Sequence, residues 1–77
     1  MGHAHARIRI ERIEEAARLA AALEGLPEVQ RQIVVLRHLH GWPLCDISRH
    51  VGRTPSAVAS LLHRSLLELR QRLHPRE

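Results

Sequence analysis

Three glycine–proline pairs, Gly25/Pro27, Gly41/Pro43 and Gly52/Pro55, punctuate this chain, and Pro75 closes it. Glycine accepts the left-handed conformation that ends a helix, while proline, with its preset φ and missing N–H, suits a first turn. Each pair therefore reads as a stop followed by a start, and the stretches between them are helices too short to stand alone. What must hold them is a core of Leu, Ile, Val and Ala, because the chain has no Phe, no Tyr and one Trp. Such a core suits helices and disfavours an all-β fold. At 77 residues there is room for one domain, which buries about 60% of the surface its unfolded chain exposes. A deep catalytic cavity does not fit in that volume.

Residues 1–9 carry no apolar period. They read as a disordered end or residues lying outside the domain, and the domain proper as residues 10–77. His3 and His5 supply too few ligands for a closed zinc site. From Ile10 a helical period runs through Ile13, Ala17, Ala20 and Leu23, with Glu11, Arg12, Glu14, Glu15 and Arg18 facing away, and ends near Glu24 and Gly25. Pro27 then opens a second helix at its first position, with Glu28 complementing the positive end of the helix dipole. Val29, Ile33, Leu36 and His40 form its stripe, and Val34, Val35 and Leu39 widen it, as expected for a helix with neighbours on two faces. His40 reads as a partly buried residue, and Gly41 as the left-handed stop. After Trp42-Pro43, the residues Leu44, Ile47, Ser48 and Val51 give a short third helix closed by Gly52. Thr54 is placed to cap a fourth helix with Pro55 at its first position. Its stripe is Val58, Leu62, Leu66, Leu69 and Leu73, and it stops by His74 because Pro75 follows.

Charge is uneven along this pattern. Residues 1–46 hold six Arg and six acidic residues, whereas residues 47–77 hold six Arg and two acidic, so the net charge of +4 lies entirely in the second part. A basic face attracts polyanions at long range. All twelve basic residues are Arg, the better bidentate ligand for phosphate and guanine.

A short helix, a glycine-centred turn and a longer capped helix are the parts of a helix-turn-helix, with Ile47, Val51 and Val58 as the apolar wedge between its helices. The first helix braces on the DNA backbone and the second enters the major groove by its N-terminal part. The wider sequence agrees. Leu26-Pro27-Glu28 with Arg31, Val35-Leu36-Arg37, Gly41, Asp46-Ile47, Val51-Gly52-Arg53-Thr54, Ala57-Val58, Ser60, Leu62-His63-Arg64 and Leu69-Arg70 resemble region four, the C-terminal promoter-binding domain of bacterial sigma factors, most closely the extracytoplasmic-function group.

The resemblance, over about residues 19–73, implies an all-α, small four-helix domain with a C-terminal helix-turn-helix that binds the promoter −35 element. It also implies contact with the β flap of RNA polymerase core, possession by an anti-sigma factor as a further partner, and a cytoplasmic setting. The chain departs from the pattern at three points. Pro43 replaces a capping Ser or Thr, Ala59 and Leu61 stand where Lys or Arg is common, and no counterpart of region two is found, as in a domain excised from a longer factor.

Carried over residue by residue, Arg53, Thr54 and the N–H groups after Pro55 are the phosphate candidates, with Arg37 and Arg49 as side supports. Ser56, Ala57, Ser60 and Arg64 form the base-reading set, beside Ala59 and His63. Leu61 has three readings: a thymine-methyl contact, an anchor for a partner protein shared with Leu67, or core at i+3 from Val58.

Two other functions fit parts of this pattern. One is a protein-interaction module that binds an anti-sigma factor or the polymerase flap through Leu61 and Leu67; the other is a free-standing helix-turn-helix of the response-regulator type. An enzyme is disfavoured, since there is no glycine-rich phosphate loop, no metal-ligand set and no convergent acid/base pair. No cofactor and no small-molecule substrate are expected. The apolar runs are far too short for a membrane span, and the single cysteine, Cys45, reads as a small packed thiol in an intracellular protein.

Overall fold

The computed structural model describes the backbone of residues 2–75, with side chains from Arg9 onward. It contains α1 (Gly2–Glu24), α2 (Glu28–Val34) continuing into a π-helical turn (Val35–Leu39), α3 (Leu44–Val51) and α4 (Pro55–Leu73). No strand occurs among the described residues. The punctuation holds at the glycines Gly41 and Gly52, both at φ +70°, but not at Gly25, which is not in the left-handed region. Pro27 sits one residue earlier than its sequence reading, as the N-cap before α2 and not at its first position, and Pro43 likewise precedes α3.

Helix α4 touches α1, α2 and α3 and so forms the spine of the domain. Two apolar clusters line it. One joins Ala22 and Leu26 with Val34 and Leu69; the other joins Ile33, Ile47 and Val58, each with no exposed surface. Leu62 packs on both. Consecutive residues Val34 and Ile33 point to different clusters, which gives α2 the two buried faces its sequence implied.

The stripe along α4 differs from its sequence reading at one residue. Leu66 lies at the edge and is exposed, while Ser65 is fully buried between α4 and α2. Its hydroxyl lies 2.6 Å from the Leu61 carbonyl and 3.1 Å from the Gln30 side-chain amide. A hydroxyl has one proton, shared between two acceptors here: the Leu61 carbonyl at the shorter distance and Gln30 Oε1 from the facing helix. A small residue here lets α2 approach α4, and these two acceptors keep the buried hydroxyl satisfied.

Helix α1 corrects the reading more strongly. Its body-facing residues are Leu19, Ala22 and Leu23, whereas Ile10 is 55% and Ile13 68% exposed, and Ala17 and Ala20 are exposed too. The Ile10 stripe is real as a period, and Leu23 at its end packs on the core, but Ile10, Ile13, Ala17 and Ala20 meet no neighbour because only the last turns of α1 reach α4. Consistent with this projection, the radius of gyration is 15.3 Å, against about 11.5 Å for a compact chain of this length. The junction after α1 is tied by Arg72, which donates to the Gly25 carbonyl at 3.2 Å and pairs with Glu68 at 3.1 Å. His3 and His5 lie outside the residues whose side chains are described.

The second helix does not run to Gly41 as a plain α-helix. His40 N–H bonds to the Val35 carbonyl at 3.1 Å and Trp42 N–H to Leu36 at 2.9 Å, so the last turn widens. This swings Leu39, 61% exposed, and His40 out to solvent. His40 is therefore a surface residue and not the partly buried one its spacing suggested.

Truncating Ile33 to Ala should lower the unfolding free energy by about 2–5 kcal/mol. Ile13→Ala should change it by less than about 0.5 kcal/mol. Urea unfolding followed by helical circular dichroism distinguishes the two, and equal effects would contradict the assignment of the core face of α1.

Candidate nucleic-acid interface

The turn between α3 and α4 is built from side chains as well as glycine. Gly52 and Arg53 N–H both bond to the Ser48 carbonyl, at 3.0 and 3.1 Å. The Ser48 hydroxyl, nearly buried, donates to the Arg53 carbonyl. A Cβ at Gly52 would meet nothing within 4 Å, so glycine is required for its positive φ and not for space. Ser48 thus clamps the turn whose apolar floor is Ile47 and Val58. Sequence reading placed Ser48 only as a helix position; a hydroxyl in the last turn before a glycine stop is the signal for its clamping role.

Thr54 caps α4 as expected, its Oγ1 accepting from Ala57 N–H at 3.1 Å. Pro55 follows at the first position. The cap narrows the set of phosphate donors anticipated after Pro55. Proline has no N–H, Ala57 is engaged by Thr54, and Val58 bonds back to the Thr54 carbonyl at 3.0 Å. Ser56 N–H is left as the free donor of the helix start.

Along the outer side of α4, Ser56, Ala59, Ser60, His63, Arg64 and Leu67 are all exposed and fall at i, i+3, i+4, i+7, i+8 and i+11, a single stripe. Ala59, Ser60, His63, Arg64 and Leu67 line one shallow groove. Ala57 is half-buried beside this stripe, and Leu61 is half-buried against the Ile33–Ile47–Val58 cluster. Of its three readings, packing as core is the one its contacts match. Leu67, 44% exposed, lies on the same outer stripe as the base-reading candidates.

The arginines divide by their partners. Among the described residues the one ion pair is Arg72–Glu68, so Arg49, Arg53 and Arg64 are exposed and unpaired by carboxylates. Arg53 precedes α4 and Arg64 lies about 15 Å further along it, comparable to the ~12 Å width of a major groove. Arg37 sits apart on the π turn, where its guanidinium donates to the Trp42 carbonyl at 3.0 Å. Part of its donor capacity is spent closing that turn. His50 meets Trp42 edge-on, with ring centroids 5.6 Å apart. Cys45 is exposed at the start of α3, not packed as its residue type suggested.

The arrangement is a helix-turn-helix with a capped second helix and unopposed positive charge at both ends of its outer face. Residues 16–69 match the family described as Sigma-70, region 4. The chain belongs to the sigma-70 region 4 family. It is also 36% identical over 64 residues to the RNA polymerase sigma factor SigF of Mycobacterium tuberculosis, in strains CDC 1551 and H37Rv. That alignment covers 83% of this chain and 24% of the relative, so the region 4 domain spans about a quarter of the curated relatives it matches. No solved structure matches the chain significantly.

A second surface of this domain escaped sequence reading. Leu19, Leu23, Leu39, Leu66 and Leu73 line an apolar groove, together with His38, Arg70 and His74. Its walls come from α1, the π turn and the end of α4, so no single periodicity announces it. No helix among the described residues is long and apolar enough to cross a membrane.

Thr54→Ala should cost about 1 kcal/mol of stability, with Thr54→Ser close to wild type. Ser48→Ala should cost about 1–3 kcal/mol by leaving the Arg53 carbonyl without its partner. Thermal unfolding of the three variants tests whether side chains, and not glycine alone, hold the turn.

Proposed function

We propose that this region 4 domain binds the promoter −35 element as the upstream-reading part of a sigma factor in transcription initiation. The observation that carries the reading is the pair Arg53 and Arg64, both exposed and free of carboxylate partners, flanking an α4 face of short side chains. In this reading Arg53, Thr54 and the Ser56 N–H hold one phosphate run, where the dipole of α4 adds attraction. Arg49 supports them from α3. Ser56, Ala57, Ala59, Ser60 and His63 meet base edges, and Arg64 reaches the far side of the groove. Arg37 acts at longer range, as local positive charge. The domain works by binding and positioning, with no chemistry of its own, beside DNA and RNA polymerase in the cytoplasm.

The apolar groove of Leu19, Leu39 and Leu66 supports a second contact, to a protein. It suits a short apolar helix such as the polymerase β flap or a segment of an anti-sigma factor; Leu67, on the outer stripe of α4, stands apart from it. Assignment to the extracytoplasmic-function group rests on the motif resemblance alone.

Arg53→Ala and Arg64→Ala should each weaken binding to a −35 fragment about tenfold, and each should lower the slope of log affinity against log salt by about 0.9. Arg72→Ala, which removes a cation already paired with Glu68, should leave that slope unchanged. Anisotropy titrations at several salt concentrations give both quantities, and an unchanged slope in the first two variants refutes the phosphate assignment.

Leu39→Glu, at a position 61% exposed and outside both clusters, should abolish capture of RNA polymerase core while DNA affinity stays within about twofold. Undiminished capture in a pull-down would remove the groove from the interface.

A further inference from the structure

Resting on the −35-binding reading, we infer that the first two turns of α4 read thymine methyl groups, so that the preferred site is defined there by T on the contacted strand and not by guanine. Reading guanine through O6 and N7 takes a long bidentate donor, adenine takes Asn or Gln, and cytosine takes a carboxylate. From Pro55 to Ser60 α4 has none of these; its exposed residues in this stretch are Pro55, Ser56, Ala59 and Ser60. Leu61 carries a longer chain, but it is half-buried against Ile33, Ile47 and Val58.

Short side chains have two consequences. They let the helix backbone sit closer to the base edges, and they leave the Ala59 methyl as the apolar group of the outer stripe before His63. The thymine C5-methyl is the one apolar feature that the major-groove edge of a base pair displays. Ser56 and Ser60 accept or donate to any neighbouring base and so discriminate little. Arg53 stands before the helix, and Arg64 lies on the outer stripe one turn beyond Ser60. Both are placed for phosphates on either side of a methyl-lined contact.

The test begins by selecting bound sequences from a randomised duplex library with the full 77-residue chain at low salt. Each thymine of the selected site is then replaced singly by deoxyuracil, which removes the methyl and nothing else. At one or two adjacent positions uracil should weaken binding about fourfold, the transfer worth of one methyl. In Ala59→Gly and Ala59→Ser the thymine-to-uracil ratio at those positions should fall to about one. The ratio is taken within one protein preparation, so partial unfolding of a variant does not affect it, and the serine variant loses less helix propensity than the glycine one.

Uracil replacement that changes affinity less than twofold at every position, with 7-deazaguanine causing the loss instead, overturns the inference while leaving DNA binding intact. Absence of any salt-dependent, sequence-selective binding overturns both this inference and the −35 reading beneath it.

Discussion

Everything at the DNA-facing end of this domain depends on the contact of Ile33, Ile47 and Val58. Each is fully buried, and each comes from a different helix, α2, α3 and α4. Helix α3 has eight residues and would not persist alone. Ile47 gives it an anchor, and through Val58 the same contact sets where α4 begins. The angle between α3 and α4 is therefore a packing result, and the outer stripe of α4 faces solvent because its inner stripe is committed to this cluster.

Polar groups then fix what packing leaves loose. Ser48 binds the Arg53 carbonyl while its own carbonyl receives two amides, and Thr54 holds Ala57. Between these two clamps only Gly52 needs an unusual φ. Arg53 is carried on a turn pinned from both sides, so a charge with four flexible bonds starts from a backbone of defined position. Ser65 and Gln30 do the same service between α4 and α2, which aligns the spine helix with the rest of the body. The cationic end of the molecule thus rests on a neutral, well-satisfied frame, and Arg49, Arg53 and Arg64 are free to act on a partner because the turn beside them is held by hydroxyls.

Much of this was legible from residue order. The glycine and proline positions located every helix start and stop between Glu24 and Leu73 to within a residue or two, since backbone φ and missing N–H groups act locally. Thr54, Pro55 and Gly52 took the roles their chemistry dictates. The motif resemblance reached the family that the comparisons establish. Misreadings share a cause: each needed knowledge of which neighbour was present. Ile10 and Ile13 have the period of a buried stripe, yet α4 passes only the end of α1. His40 follows Leu36 at helical spacing, yet the π turn carries it outward. Cys45 resembles a packed thiol but has no wall to pack against.

The sequence by itself determined the helical class, the punctuation, the basic second half and the capped start of α4, because propensity, φ restriction and charge are properties of residues and their immediate neighbours. Only the tertiary structure decided that Leu61 packs inward while Ala59 faces out, that Ser56 keeps the free helix-start N–H, and that leucines from three elements share a groove. Those outcomes depend on contacts between segments far apart in the chain, and an apolar side chain reports its period without reporting its partner.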